Sequence, residues 1–483
     1  MNDAIVAELR RICGDTAVLD EPLQLLTYEC DALTHLRESP ALVVLPRSAA
    51  EVQAVVRVCS RERIPFVARG HGTGLSGGAL PVAGGIVISL AKLNRVIDVD
   101  IPNRRVTVEP GVTNLEITRQ VAPFGYYYAP DPSSQQVCSI GGNVAENSGG
   151  AHCLKYGFTV HHVLEVEAVL PDGELVRIGS QTADAPGPDL LGLLVGSEGT
   201  LAIVTKVVVR ILRRPESVQT LLAAFDSIHA GGAAVSAIIA AGIIPAALEF
   251  MDRPCIAAVE AFCAPGYPKG AEAILIAEVD GTETEVAYET RIIGEIAREL
   301  RATLVHECES AEERARAWSG RKAAFGAMGR LRPDLLCMDG TIPRRALADV
   351  LERIAQLSEY YRLGCCNVFH AGDGNLHPLI VFDVMAEGEL ERAEAFGADI
   401  LKLCVAVGGV LTGEHGVGVE KKALMGEMFS DIDLKQQERL KCAFDGGNLL
   451  NPGKVFPTLH ACVEQGHMHV HGGRMPFGNL PRM

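Results

Sequence analysis

Residues 65–78 read PFVARGHGTGLSGG, a short apolar run that opens into a loop holding five glycines. Pro65-Phe66-Val67-Ala68 has the composition of a buried strand. Upstream, Val43-Val44-Leu45 is a second such run. Between the two, Ser48 followed by Glu51 reads as a capping box, and Val52, Val55, Val56 and Cys59 keep the helical period. A strand–helix–strand unit therefore delivers the glycine loop at the end of its second strand. Glycines let successive backbone N–H groups turn into one concavity, a nest that binds phosphate without cations. An ordinary glycine-rich turn accounts for the loop equally well. A dinucleotide G-x-G-x-x-G reading is weaker, because residues 85–100, GIVISLAKLNRVIDVD, continue as strand and turn where that motif needs a helix.

Further along, residues 95–111 and 163–178 alternate in the strand period, with Pro171-Asp172-Gly173 as a turn signal. Loops of similar character lie between and after them: APDPSS at 129–134, SIGGNVAENSGG at 139–150 and GSEGTLAIVT at 196–205. Several such loops hung on strands suit a long polar ligand lying across a scaffold.

Together these loops resemble the FAD-binding domain of the vanillyl-alcohol-oxidase (PCMH) type flavoproteins, within their D-lactate and glycolate dehydrogenase branch. The resemblance implies an α+β fold in which FAD lies extended between two subdomains. It places Arg69, Gly70, His71, Gly72, Thr73, Gly74, Leu75 and Ser76 on the pyrophosphate. Pro130, Asp131, Ser139, Gly142, Asn143, Ser148, Gly149, Glu198, Gly199 and Ile203 would flank the rest of the cofactor. Some members attach the flavin to a histidine of the first loop. Thr73 holds the corresponding place here, with His71 two residues earlier, so non-covalent FAD is expected.

Composition narrows the remaining classes. With 44 basic and 60 acidic residues the net charge is −16, and no basic block stands out, which disfavours nucleic acid and anionic lipid as partners. The fourteen cysteines are scattered without a CxxC pair. Reduced, buried thiols in a cytoplasmic protein are expected, and no iron–sulfur cluster. No apolar run approaches the roughly 20 residues that span a bilayer. At 483 residues the chain is long enough for two or three domains. The expected division is an N-terminal helical segment over 1–40, an FAD-binding domain over 41–215, an α+β FAD-linked oxidase C-terminal domain over 216–460, and a tail over 461–483. Arg213-Arg214-Pro215 marks the main boundary.

In the second half, residues 367–382 read NVFHAGDGNLHPLIVF. Gly372, Gly374 and Pro378 argue against a helix, so a hairpin is expected, with His370 and His377 facing each other at its mouth. Glu414 and His415 sit in a glycine-bracketed loop over 413–418. Two imidazoles and a carboxylate make a divalent-metal site with open positions, suited to Zn or to Mn/Fe. Three histidines satisfied separately by hydrogen bonds in turns is the alternative that spacing leaves open. Oxidation of a 2-hydroxy acid needs loss of the hydroxyl proton and transfer of hydride from C2 to flavin N5; a metal at His370, His377 and Glu414, chelated by the substrate, would lower the hydroxyl pKa, and the base is assigned to His415.

Residues 367–383, 411–422, 444–457 and the tail MHVHGGRMPFGNLPRM extend the resemblance over the whole chain, to the FAD-binding subunits of bacterial glycolate oxidases. This implies that Arg321, on a helix over 311–330, binds the substrate carboxylate. It implies a second flavin-type subunit and an iron–sulfur subunit as partners, and membrane contact only through them. Relatives acting on D-2-hydroxyglutarate place polar groups where Phe325, Cys337 and Leu379 stand here. A second carboxylate buried against apolar groups is costly, so glycolate is expected first and D-lactate second. A catalytically silent FAD-binding scaffold is the rival from another class. Intact His370, His377, Glu414, His415 and Arg321 argue against it. No ligand role is assigned to His467, His469 and His471 in the tail.

Overall fold

The computed structural model describes residues 1–182 and 187–457; the histidine-rich tail lies outside the described residues. The opening unit forms as the pattern predicts. Strands Leu42–Val44 and Phe66–Arg69 lie parallel to Ile86–Ser89, which sits between them. Helix Ala49–Glu62 starts at Ser48, whose Oγ accepts the Glu51 N–H at 3.2 Å. Glu51 closes back on the Arg47 N–H at 2.7 Å, one residue earlier than a capping box requires. The apolar stripe Val52, Val55, Val56 and Cys59 is fully buried against this sheet.

Residues 1–40 are less separate than expected. Helix Asp3–Cys13 packs on helix Ala49–Glu62, and strand Val18–Leu19 joins the first sheet antiparallel to Leu42–Val44. The apolar side chains Leu9, Cys13 and Val18 belong to that sheet's core, which is why the segment cannot stand apart from it.

A second, antiparallel sheet runs in the order Val96–Asp100, Arg105–Val108, Ile203–Arg210, Val163–Val169, Leu175–Gly179. Residues 139–146 are not a plain loop. Ser139 caps a short helix, Ile140–Glu146, and Gly141 is needed because a Cβ there would stand 2.6 Å from Pro110 Cβ. The fold is therefore two α+β subdomains followed by a larger α+β half.

That second half is built on a nine-stranded sheet whose central strands are Ser217–Phe225, Ala273–Gly281, Ala247–Asp252 and Gly364–His370. The expected hairpin is present: Asn367 pairs with Pro378 and His370 with Asn375, in one continuous register. His370 and Val368 share a face, and His377 lies opposite Val368. The two imidazoles are thus diagonal neighbours, their ring centroids 5.1 Å apart.

After helix Asp431–Phe444 the chain returns to the first half. Leu450 bridges Phe66, and Asn451 Nδ2 donates to the carbonyls of Gly78 (3.2 Å) and Glu198 (2.8 Å). Lys454 Nζ donates to Gly78 O at 2.9 Å and to Leu80 O. Val455 N–H donates to Gly418 O at 2.8 Å. One terminal segment therefore ties together three loops from distant parts of the chain. Among the described residues twelve cysteines are free thiols, most of them buried.

Candidate active site

A cleft of about 400 Å³ runs between the two halves. Residues 69–75 form one wall, joined by Ser139, Gly142, Asn143 and Ser148 and by Glu198, Gly199 and Ile203. The second half contributes Arg321, Lys322, Phe325, His377, Glu414 and His415. Most of the residues expected around the cofactor thus meet in one place. Seven glycines lie on the wall, so much of it is bare backbone. Gly70 has no room for a side chain, since a Cβ would collide with Ser139 Oγ.

Five expected residues do not line the cleft, and each is engaged elsewhere. Ser76 Oγ donates to His415 O at 2.9 Å. Pro130 O accepts Asn114 Nδ2 at 3.0 Å. The Asp131 carboxylate lies 2.7 Å from His152 Nδ1, and the wall passes instead over Pro132, Ser133 and Ser134. Gly149 packs against Phe158, and a Cβ there would fall 2.8 Å from Glu414 Oε2. His370 sits behind the wall, 4% exposed. Of the three positions read for substrate size, only Phe325 reaches the cleft; Cys337 and Leu379 are buried opposite each other in adjacent strands.

Behind the wall the polar groups interlock. His370 Nε2 and His377 Nε2 both lie 3.2 Å from Glu414 Oε1. The ligand atoms of His370, His377 and Glu414 all fall within 4.8 Å of one another, and so do those of Asp339, His377 and His415. Neither ring nitrogen of buried His377 has a hydrogen bond of sound geometry. The His415 ring stacks on that of His377, with centroids 5.1 Å apart and planes 9° from parallel.

Two carboxylates that sequence reading passed over hold this arrangement. Glu249, fully buried, accepts Arg321 Nε at 2.5 Å and pairs with His370 Nδ1 at 2.7 Å. Asp339 accepts the N–H groups of Gly413 (2.9 Å), Glu414 (3.2 Å) and His415 (2.9 Å), and Lys421 Nζ at 3.1 Å. It thereby fixes the backbone of the loop that presents Glu414 and His415.

Comparison with known proteins settles the family. Residues 40–179 match the FAD binding domain model, and residues 214–455 match the model for FAD linked oxidases, C-terminal domain. The chain belongs to the FAD-linked oxidases. It is 51% identical over 479 residues to glycolate oxidase subunit GlcD of Escherichia coli (strain K12), covering 99% of this chain and 96% of that protein. The subunit of the same name from Bacillus subtilis (strain 168) is 39% identical over 93% of this chain and 96% of its own length. A probable mitochondrial D-lactate dehydrogenase of Danio rerio is 32% identical over 96% of this chain and 94% of its own. Among solved structures, 4-ethylphenol oxidase from Gulosibacter chungangensis shares the fold with a TM-score of 0.81 at 17% identity, covering 95% of this chain and 98% of that one. A p-cresol methylhydroxylase does so with a TM-score of 0.79 at 19% identity, covering 95% and 97%.

In this FAD-linked oxidase the charges balance locally. Burial opposes ionisation of Glu414, but His370 and His377 outweigh it and hold the carboxyl well below its ordinary range. Burial likewise opposes Glu249, which His370 and Arg321 bring down to about 2. For Asp339, Lys421 overcomes burial and keeps the carboxyl well below its usual value. His415 goes the other way: burial lowers it to about 4, so its ring is neutral. The orphaned nitrogens of His377 and the convergent carboxylate fit a divalent cation, with Glu249 orienting His370 from behind. The glycine-lined wall fits the phosphates of FAD.

Proposed function

We propose that this FAD-linked oxidase converts a small 2-hydroxy acid to the 2-oxo acid, glycolate to glyoxylate first and D-lactate second. The observation that carries the reading is that Arg321, His377, Glu414 and His415 share one cleft with the glycine loops. The names of its relatives supply the substrate class: glycolate oxidase subunits and a D-lactate dehydrogenase.

Bound FAD, held without covalent attachment along residues 69–75, 139–148 and 198–203, supplies the acceptor for hydride from the substrate's C2. A divalent cation, Zn or Mn/Fe, would be held by His370, His377 and Glu414 and would supply positive charge to the substrate's hydroxyl and carboxylate oxygens. Arg321 orients the substrate. Its Nε is committed to Glu249, which leaves the two terminal nitrogens of the fork for a carboxylate. His415 is neutral and on the cleft wall, so its imidazole can accept the hydroxyl proton. Phe325 gives the cleft an apolar face beside Arg321, which supports the monocarboxylate reading, and Lys322 adds a second cation to the same wall.

Electrons would leave through a second flavin-type subunit and an iron–sulfur subunit, since this chain has no CxxC pair. The complex would be cytoplasmic and reach the inner face of the cell membrane only through those partners. Among the described residues no helix is long and apolar enough to cross a membrane. The division at 41–215 and 216–460 belongs to the same proposal, with residues 3–19 and 448–455 built into the FAD-binding half. Anaerobic mixing with glycolate or D-lactate tests the function. Bleaching of the flavin by either supports it, and bleaching by neither leaves the scaffold reading in its place.

A further inference from the structure

One group on the cleft wall has no part in the chemistry above. Glu146, the last residue of helix Ile140–Glu146, faces the cleft between the loop after strand Phe66–Arg69 and the loop that carries His415. Its Oε2 is buried and has no hydrogen-bond partner. A second carboxyl, Glu198, lies beside it: a Cβ placed on Gly416 would collide with Glu146 Oε2 and stand 3.0 Å from Glu198 Oε1. The two acids therefore converge on one glycine, yet their surroundings differ sharply. Burial raises the Glu198 carboxyl too, but Glu198 accepts the N–H groups of Val417 at 2.7 Å and Gly418 at 2.6 Å, which favour its ionised form and oppose that rise. Glu146 receives no such bond.

Two neighbouring carboxyls with unequal hydrogen bonding ionise in sequence, the one that accepts more hydrogen bonds first. The other charged groups acting on Glu146 are Asp31, which adds repulsion, and Lys454 and Lys421, which oppose it. Lys454 Nζ donates to the carbonyls of Gly78 and Leu80, and Lys421 Nζ to Asp339. Neither lysine donates to Glu146. Burial and Glu198 together hold the Glu146 carboxyl well above its ordinary range.

We propose that Glu146 acts as a neutral carboxylic acid that donates its hydroxyl hydrogen to an acceptor atom on the flavin ring. The inference rests on the flavin reading given above. The ring is the part of the cofactor concerned, because Oε1 of Glu146 faces Gly78 whereas Oε2, the oxygen without a partner, faces Gly416, the residue after the proton acceptor His415. The oxygens and unprotonated nitrogens of a flavin ring are acceptors, and an ionised carboxylate would offer them nothing to accept. A neutral acid supplies one donor, and that donor gains strength as negative charge accumulates on the ring during reduction. Glu146 would thus be a cofactor-contacting residue that favours the reduced flavin.

The test uses the full chain loaded with FAD and reduced by dithionite, so that it does not depend on any substrate. The reduced-minus-oxidised infrared spectrum should carry a carboxylic-acid C=O band that shifts on reduction and is missing in Glu146→Gln. The two-electron equilibrium of Glu146→Leu should move at least tenfold toward oxidised flavin, a drop of about 30 mV in midpoint potential. Glu146→Gln keeps an N–H donor and should recover part of that drop. A spectrum without that band overturns the proposal, as does an unchanged potential in Glu146→Leu at full flavin occupancy. Should Glu146→Leu fail to fold, the Glu146→Gln spectrum decides alone. A folded wild-type chain that takes up no FAD overturns the flavin reading itself and this inference with it.

Discussion

Glu249 Oε1 lies 2.7 Å from Nδ1 of His370, and this contact fixes which nitrogen of that ring faces Glu414. With Nδ1 held by the carboxylate, Nε2 is turned toward Glu414. A carboxylate behind a ligating histidine orients the ring and raises its basicity. Glu249→Gln should therefore lower affinity for a divalent cation by about 10- to 100-fold. Elemental analysis after titration with a chelator measures this. Unchanged affinity would remove Glu249 from the support of the metal site.

Arg321 should separate binding from chemistry. Hydrogen bonds to a charged group contribute about 1.5–3 kcal/mol, roughly 10- to 150-fold in affinity. Lysine cannot reproduce the planar fork, and it would also loosen the contact to buried Glu249. Arg321→Lys should thus raise KM for glycolate by that factor, with a smaller effect on kcat. Steady-state kinetics check it, and an unchanged KM would place the substrate carboxylate elsewhere.

Gly70→Ala tests the cofactor wall without touching the acid–base residues. The added methyl would push into Ser139 Oγ, the cap of the next helix on the wall. Purified Gly70→Ala should retain little flavin while keeping the wild-type far-ultraviolet circular dichroism. The ratio of visible to ultraviolet absorbance reads the flavin content directly, and full occupancy would contradict the placement of the phosphates.

The part of this arrangement that was legible in the sequence was local. Glycine loops and the His370–His377 hairpin are marked by residue type and short spacing, and both appear where they were expected. Glu249 and Asp339 carried no local signal. Glu249 lies on a strand over 247–252 that reads as a buried apolar run, and it meets His370 only because that strand pairs with Gly364–His370. Asp339 follows a strand in an ordinary way, and its role depends on a loop more than 70 residues later. Lys322 was not singled out, yet it lines the cleft beside Arg321. Pairing of distant strands is set by the whole chain, so these partners are found by structure rather than by motif.

His162 gives the fold a pH limit of its own. It is fully buried, its Nε2 lies 2.9 Å from Tyr156 O, and its Nδ1 has no partner. The Tyr128 ring stands edge-on to it at 5.9 Å. Burial lowers its pKa from 6.5 to about 4. The unfolded chain therefore binds a proton between these values that the folded chain does not, so stability rises with pH across this window. The contribution is fully present above pH 6.5 and is lost progressively as pH falls toward 4. At 1.36 kcal/mol per pH unit the full loss is about 3 kcal/mol. His370 and His377, whose pKa values are raised by neighbouring carboxylates against the pull of burial, act in the opposite sense. A difference curve isolates His162 from them. Urea unfolding of wild type and His162→Gln from pH 7 to pH 4 should show the wild type losing about 3 kcal/mol more than the variant. Parallel curves would mean that His162 is protonated in the folded chain as readily as in the unfolded one.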